Sequence, residues 1–168
     1  MSLIILAAIF ISLCYKWGDW KSWRLYYSTF LFYIIGALTA HILTSPKDLW
    51  LIHFSFWNNT FANYFIAFFI FPCIITLFLT YYPKQIFTQV VYILSYVFAL
   101  SLIEYIAYIK KAIYYYNGWT FGWSVLLYLG MFSLFRLHYK SKGWAWFIFF
   151  LSIGAGVIYF KIPLSSFK

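Results

Sequence analysis

Six apolar runs take up most of this chain, and only short polar connections separate them. The runs occupy residues 2–15, 25–43, 61–82, 86–109, 120–135 and 144–160. A helix that crosses a bilayer needs roughly 17 to 25 mostly apolar residues, and most of the runs are close to that length. The sequence therefore predicts an all-α fold, a polytopic membrane helix bundle of about six transmembrane helices. Because the connections are short, we expect one transmembrane domain over residues 1–168 and no soluble domain.

The composition favours the same fold class. Hydrophobic residues make up 65% of the chain and charged residues 9%, whereas a soluble domain has about 45–50% apolar and about 25% charged residues. So few charged side chains would leave large apolar patches in water, and lipid would cover them. The net charge of +9 comes from lysines and arginines at the ends of the runs, where such residues anchor helices beside lipid headgroups. We therefore expect membrane lipids as partners and no binding of nucleic acid.

The first run is shorter than the others and is similar in length to the core of a signal peptide. No lysine or arginine precedes it, and charged residues follow it at positions 16–21 in place of a small-residue cleavage site. These flanks favour a retained first span. Two alternatives stay open: the first run lies at the membrane interface, or residues 50–57 form a short helix on the membrane surface.

The distribution of lysine and arginine gives a weak orientation signal. Seven of the twelve follow the first, third or fifth run, and these are Lys16, Lys21, Arg24, Lys84, Arg136, Lys140 and Lys142. The other five, which follow the even-numbered runs, are Lys47, Lys110, Lys111, Lys161 and Lys168. Because positive charge accumulates on cytoplasmic connections, this bias favours both termini outside and the first connection in the cytoplasm.

Aromatic and basic residues gather around the first connection. Trp17, Trp20 and Trp23 recur every third residue, with charged residues between them and Arg24 directly after. An indole ring favours the headgroup level because its apolar face and its polar N–H are both satisfied there. We expect these four residues to contact lipid headgroups as part of an aromatic belt. Recognition of one anionic lipid is the alternative interpretation.

A second basic segment closes the fifth run, where Arg136, His138 and Lys140 alternate with other residues. Positive side chains at this place complement the negative helix C-terminus and reach headgroups, so we expect lipid-headgroup contact, with binding of lipid phosphate as an alternative. His138 has no partner at metal-ligand spacing, and Cys14 and Cys73 share no C-x-x-C motif. We therefore expect no metal site and no disulfide, with both cysteines packed as small apolar side chains.

Glu104 is the one acidic residue inside an apolar run. It lies five residues before the end of the run, which is about 7 Å below the boundary at the rise of an α-helix. A charged acid facing lipid there would cost several kcal/mol, so we expect Glu104 to be paired, hydrogen-bonded or protonated. Ser101 and Tyr108 share its helical face, and we expect this stripe to face inward.

Alternation of the spans predicts which residues can reach Glu104. The end of the second run and the starts of the third and fifth runs lie on its side of the membrane. The candidate ligand-binding residues on this side are Glu104, His41, Asn59, Asn63, Ser101 and Tyr108. Arg136 lies on the opposite side, so an ion pair between Glu104 and Arg136 would contradict the six-span topology.

Six groups of residues along the chain carry a family resemblance. They are Lys16-Trp17-Gly18-Asp19-Trp20 with Tyr26-Tyr27, Phe71-Pro72, Tyr82-Pro83, Ser101-Leu102-Ile103-Glu104-Tyr105-Ile106-Ala107, Asn117-Gly118-Trp119 and Arg136-Leu137-His138-Tyr139-Lys140. Together these segments resemble an uncharacterised family of small multi-pass membrane proteins of spore-forming Firmicutes. The resemblance covers nearly the whole chain and implies the cell membrane of a Gram-positive bacterium, but it supplies no activity. Members of the family often have an acid where this chain has Tyr128, and a histidine near Asn59.

Three classes of function remain for this chain. The first is a non-enzymatic membrane protein that binds a small polar or lipidic ligand or an ion around Glu104. The second is a structural or partner subunit of a membrane complex, or a homo-oligomer, in which small-residue pairs such as Gly36 with Ala40 and Ser152 with Gly156 serve internal packing or association. The third is a lipid-modifying enzyme. Since paired acids, a Cys/His dyad and a metal-ligand set are all missing from the sequence, we expect no catalytic residues, no cofactor and no metal.

Overall fold

The protein is a helix bundle, as predicted. The computed structural model describes residues 3–53 and 58–163. Its α-helices are α1 (Leu3–Trp17), α2 (Trp23–Thr44), α3 (Asn59–Phe65), α4 (Phe71–Thr80), α5 (Ile86–Ile109), α6 (Phe121–Lys140) and α7 (Lys142–Tyr159). A π-helical turn, Ile66–Ile70, joins α3 to α4, so the described part of the chain contains six long helical segments.

The π-helical turn has a cause in the sequence. Pro72 lies in the first turn of α4. A proline has no N–H to donate to the carbonyl four residues earlier, and its ring crowds that carbonyl. One wider turn before Pro72 relieves this crowding, so the segment continues as a single span instead of breaking in two.

Four of the segments are long and apolar enough to cross a membrane. By length and composition these are Trp20–Thr44, Asn59–Thr80, Ile86–Ile109 and Lys142–Tyr159. Helix α1 is apolar but has only 15 residues, and α6 carries basic residues in its last turn. Outward-facing side chains are also strongly apolar, for example Phe98 on α5, which is 68% exposed. Such a surface suits lipid and would be costly in water.

The largest departure from the predicted helix boundaries is at the fifth and sixth segments. The fifth was expected to end at residue 135, but α6 continues to Lys140, and α7 begins at Lys142. Only Ser141 separates the two helices. The helix can extend past the apolar run because long basic side chains tolerate the interface while their backbone stays hydrogen-bonded.

A short antiparallel ribbon, which the sequence did not predict, joins two connections. Strand β1 (Trp50–Ile52) pairs with β2 (Ile113–Tyr115), with Trp50 opposite Tyr115 and Ile52 opposite Ile113. The suggested surface helix over 50–57 is therefore wrong for Trp50–Ile52, while residues 54–57 lie outside the described residues. Aromatic and β-branched side chains favour strands, and pairing satisfies backbone groups near the membrane.

The ribbon places the connections after α2 and after α5 at the same end of the bundle, here called the ribbon end. The Asn117 side-chain amide donates to the Asp48 carbonyl at 2.7 Å, and the Lys47 ammonium donates to the Phe160 carbonyl at 2.8 Å. The end of α7 therefore lies there too, as expected when successive helices alternate in direction.

The remaining connections meet at the opposite end, here called the Trp-rich end, which contains residues 16–24, 81–85 and 136–142. The Tyr81 hydroxyl donates to the Trp17 carbonyl at 2.8 Å. The guanidinium carbon of Arg136 lies 4.4 Å from the centre of the Tyr82 ring. Arg136 is thus remote from Glu104, and the ion pair that would have contradicted the alternation is not formed between these two described residues.

Helix α4 forms the centre of the core. It contacts α1 and α2, and Phe78 packs its ring against Tyr96 and Phe132 at centroid distances of 5.2 and 5.0 Å. Cys73 of α4 and Cys14 of α1 are both buried, and their side chains interact across this contact. The sequence did not indicate this proximity, because the two residues lie on helices far apart in the chain.

The small-residue pairs differ in their surroundings. A Cβ atom at Gly36 would lie 3.0 Å from the ring of Phe149, so this glycine lets α2 and α7 approach closely. Gly156 has open space around it within the described residues, and Ser152 is exposed with its hydroxyl bonded to its own helix. Gly36 therefore serves internal packing, whereas the Ser152–Gly156 pair does not.

Candidate functional site

The site is built on one face of α5. The buried residues of this helix are Val97, Leu100, Ser101 and Glu104, which recur at helical spacing and turn one stripe toward the bundle. Ser101 and Glu104 are each 8% exposed, so the predicted inward orientation is confirmed for both. Tyr108 departs from it: this side chain is 46% exposed and stacks on Tyr115, with ring centres 5.1 Å apart.

Two tyrosine hydroxyls hold the Glu104 carboxyl group. Tyr115 of β2 donates to Oε1 at 2.6 Å, and Tyr128 of α6 donates to Oε2. Both carboxyl oxygens are thereby engaged by neutral donors from two different elements. Glu104 therefore ties α5 to the ribbon and to α6.

The polar residues expected to join Glu104 use their groups elsewhere at the ribbon end. The Asn59 side-chain oxygen accepts from the backbone N–H of Ile52 at 2.9 Å and from the Asn63 amide at 3.0 Å. The His41 Nε2 lies 3.4 Å from the Thr60 hydroxyl. No hydrogen bond among residues 3–53 and 58–163 connects these side chains to Glu104. The predicted cluster is thus divided into two groups at one end of the bundle, one around Glu104 and one that contains His41, Asn59 and Asn63.

Ser101 has an unusual hydroxyl. Its Oγ is enclosed and has no hydrogen-bond partner in the described part of the chain. Serines within helices commonly donate to the carbonyl four residues earlier, as Ser133 and Ser152 do here. Because a buried unsatisfied hydroxyl costs about 1–3 kcal/mol, Ser101 marks a place beside Glu104 where a ligand would gain a hydrogen bond.

Among the described residues, no cationic side chain accompanies the Glu104 carboxyl group. No lysine, arginine or histidine among the described residues forms an ion pair with it, and its hydrogen-bond partners are the two tyrosines. An ionised carboxylate in an apolar bundle is costly when only neutral groups compensate it. The residues that the structure describes also hold no group of three potential metal-ligating His, Cys, Asp or Glu side chains.

Two further residues support Tyr115, and neither is among the candidate site residues predicted from the sequence, although alternation of the spans places one of them, Trp119, on the Glu104 side. The Trp119 indole donates to the Ser124 hydroxyl at 3.0 Å, Ser124 is buried, and its side chain also interacts with that of Tyr115. The signal that was available was the tyrosine-rich segment 114–116 beside the end of α5. The sequence singles out Tyr128 only through the family resemblance, which implies that members of that family often carry an acid at this position.

Tyr115 gives an alkaline stability test of this hydrogen bond. Burial first, and then the bond to Glu104, raise the pKa of the Tyr115 hydroxyl above its usual value. The folded protein therefore holds this proton more tightly than the unfolded chain, and stability is lost as pH rises above about 10. We expect Tyr115→Phe to reduce the slope with which the free energy of unfolding falls as pH rises. The reduction should be smaller than the limiting value of about 1.4 kcal/mol per pH unit, because Tyr115 is only partly buried.

The measurement is the free energy of unfolding of detergent-solubilised protein between about pH 8 and 12. Tyr114→Phe is the matched control, since Tyr114 is the exposed neighbour on the same strand. Equal alkaline slopes for wild type and Tyr115→Phe would contradict the assigned bond.

The predicted headgroup residues fall into two groups. Trp17, Trp20 and Trp23 are about half exposed at the Trp-rich end, and Arg24 lies over the Trp23 ring at 5.9 Å. His138 differs, since it is 2% exposed, stacks on Phe32 and has its Nδ1 3.1 Å from the Thr29 hydroxyl. Its side chain is therefore inside the bundle between α2 and α6, away from the outer surface.

An open groove of about 410 Å³ also lies at the Trp-rich end, lined by Ser141, Gly143, Trp144 and Phe147. None of the residues predicted from sequence to bind a ligand or a headgroup lines it. The groove and the Glu104 site belong to opposite ends of the bundle, so they are separate features.

Comparisons with protein-family models, with curated proteins and with solved structures give no match to this chain. A functional assignment therefore rests on the geometry of the polar site in a bundle of apolar helices.

Proposed function

We propose that this chain is an integral multi-pass membrane protein that binds a small cation at Glu104. In this proposal all six helical segments cross the bilayer, the Trp-rich end faces the cytoplasm, and the membrane is the cell membrane of a Gram-positive bacterium. The short α1 spans by local thinning of the bilayer. The excess of lysine and arginine at the Trp-rich end supports the orientation.

The observation that carries the cation proposal is the unbalanced carboxyl group. Glu104 is 8% exposed, its two oxygens accept bonds from neutral hydroxyls, and a bound positive charge would remove the electrostatic cost of burying it. Acidic residues inside membrane spans commonly mark ion or substrate pathways for this reason.

The donor set favours a hard cation or a small ammonium ion. Glu104, Tyr115, Tyr128 and Ser101 offer only oxygen atoms, which suit alkali ions better than soft transition metals. The unpartnered Ser101 hydroxyl adds an acceptor for a metal ion or for an N–H group. The two tyrosines orient the carboxyl group before any ligand arrives.

The test is a cation titration of the purified protein in detergent. We expect sodium, potassium or methylammonium to raise the thermal unfolding midpoint saturably, with N-methylglucamine holding the ionic strength constant. A ligand at 100 times its Kd stabilises a protein by about 2.7 kcal/mol. Glu104→Gln, which preserves the side-chain shape but removes the charge, should abolish this response. Asp48→Asn, which removes an acid from a connection at the same end, should keep it.

Ser101→Ala provides the second arm of this test, since it leaves Glu104 and both tyrosine bonds in place. We expect weaker cation binding in this variant, together with an unchanged or slightly higher stability without cation, because an unsatisfied hydroxyl has been removed. A wild type that shows no saturable response to any of the three cations, or a response that Glu104→Gln retains, would contradict the proposal.

A second candidate is a structural or partner subunit without its own ligand, and one observation favours it. The Glu104 bonds join α5, β2 and α6, so the carboxyl group already cross-links three elements. Under this hypothesis, Glu104→Gln and Tyr128→Phe lower the unfolding midpoint by amounts that do not depend on the cation. Cation titrations of the wild type and of Glu104→Gln therefore distinguish a cation-binding protein from a structural subunit.

A further inference from the structure

Among the described residues, a second enclosed side-chain atom without a hydrogen-bond partner lies at the Trp-rich end. Arg136 lies near the end of α6, and its guanidinium carbon is 4.4 Å from the centre of the Tyr82 ring and 5.7 Å from that of Tyr139. A guanidinium group over aromatic faces is held in place by cation–π attraction. Arg136 is thus positioned by one residue of the α4–α5 connection and one of its own helix.

Arg136 makes no hydrogen bond through its side chain to another residue in the described part of the chain. Its Nε is enclosed and has no partner among residues 3–53 and 58–163, although a guanidinium group carries five N–H donors. An enclosed donor without an acceptor costs free energy. The tyrosines fix the orientation of the group but accept none of its hydrogen bonds in the plane of the guanidinium.

The charge around Arg136 favours an anion. Lys140 follows one helical turn later, and Lys84 comes two residues after Tyr82. Asp19 is the acid in the connections of this end, and its carboxylate accepts from the Ser22 backbone N–H at 3.3 Å as a helix cap. Within the described residues it makes no ion pair with Arg136, so the guanidinium charge has no protein counter-ion.

We propose that Arg136 and Tyr82 form a binding site for the phosphate group of an acidic phospholipid. The planar fork of arginine matches two phosphate oxygens, which a lysine does less well. The site lies at a helix end, at the same end of the bundle as the half-exposed tryptophans, which is where headgroups meet a membrane protein. This inference depends on the membrane location in the proposed function but not on cation binding at Glu104.

The test compares lipids added to the purified protein in a zwitterionic detergent. We expect phosphatidylglycerol to raise the thermal unfolding midpoint saturably, whereas phosphatidylcholine and inorganic phosphate at equal concentration do not. Arg136→Gln should weaken binding, so that the half-saturating phosphatidylglycerol concentration rises at least tenfold. Arg136→Lys should raise this concentration severalfold, because the positive charge remains but the planar fork of the guanidinium group is lost.

Two control variants make the result specific. Lys161→Gln removes a positive charge from the ribbon end, and Glu104→Gln disables the proposed cation site, so both should bind phosphatidylglycerol like the wild type. Should Arg136→Gln fail to fold, Tyr82→Leu removes the supporting ring and should itself weaken binding severalfold. An unchanged phosphatidylglycerol response in Arg136→Gln and in Tyr82→Leu overturns the site, and saturation by inorganic phosphate alone overturns its assignment to a lipid.

Discussion

Replacing Phe78 by alanine is expected to lower the free energy of unfolding by about 3 kcal/mol. Phe78 is fully buried on the central helix α4, and its ring packs against Tyr92, Tyr96 and Phe132 within 5.5 Å of each centroid. In lipid the transfer of an apolar side chain into the bundle gains little, so packing supplies most of the stabilisation. The cavity left by this ring removes that packing between α4, α5 and α6.

Reversible unfolding in mixed micelles measures this change, with the variants Phe78→Ala and Phe98→Ala compared. Phe98 is the same residue type on α5 but is 68% exposed on the outer surface, so its truncation should cost less than about 1 kcal/mol. Equal losses for the two variants would mean that the aromatic cluster around Phe78 does not hold these helices together.

Gly18→Ala is expected to destabilise the protein by about 1–3 kcal/mol, because it introduces a backbone clash. The Gly18 N–H donates to the Cys14 carbonyl at 2.7 Å. A Cβ atom at Gly18 would clash with that carbonyl oxygen and would lie 3.2 Å from the Thr76 methyl group. Since a backbone oxygen cannot swing aside and both clashing atoms belong to the end of α1, the backbone there must change its local conformation.

Gly156→Ala is the matched control and should have the opposite sign. Among the described residues nothing lies within 4 Å of a Cβ atom at this position. Alanine in a helix interior is favoured over glycine by about 1 kcal/mol. Thermal unfolding midpoints of both variants test the pair, and a Gly18→Ala protein as stable as the wild type would show that the α1 terminus is not constrained as described.

The helices were predictable because their causes are local. An apolar run of sufficient length specifies a membrane helix wherever its neighbours are, so α5 matches its predicted run of 86–109. The end of α6 was misjudged since the run was closed at the first charged residue, whereas a long basic side chain permits the helix to continue through Arg136 to Lys140. The ribbon was missed for a different reason, because strand pairing between residues 50–52 and 113–115 is a long-range event.

The site was predicted in part. Helical periodicity correctly placed Ser101 and Glu104 on one inward face, and alternation of the segments placed His41 and Asn59 at the same end. Periodicity carries no information about which helix lies beside α5, however. The partners that reach the carboxyl group, Tyr115 and Tyr128, were identified only by the packed structure.

By itself, the sequence determined that this chain forms apolar helices that alternate in direction, with one acid inside them, because run length and periodicity are properties of contiguous residues. Only the tertiary structure decided that Glu104 meets two tyrosines, that Arg136 lies over Tyr82 without a counter-ion, and that Ser101 keeps a free hydroxyl within the described residues. These contacts depend on the order and rotation of the packed helices. Van der Waals fit across the whole bundle sets both, and no single segment encodes them.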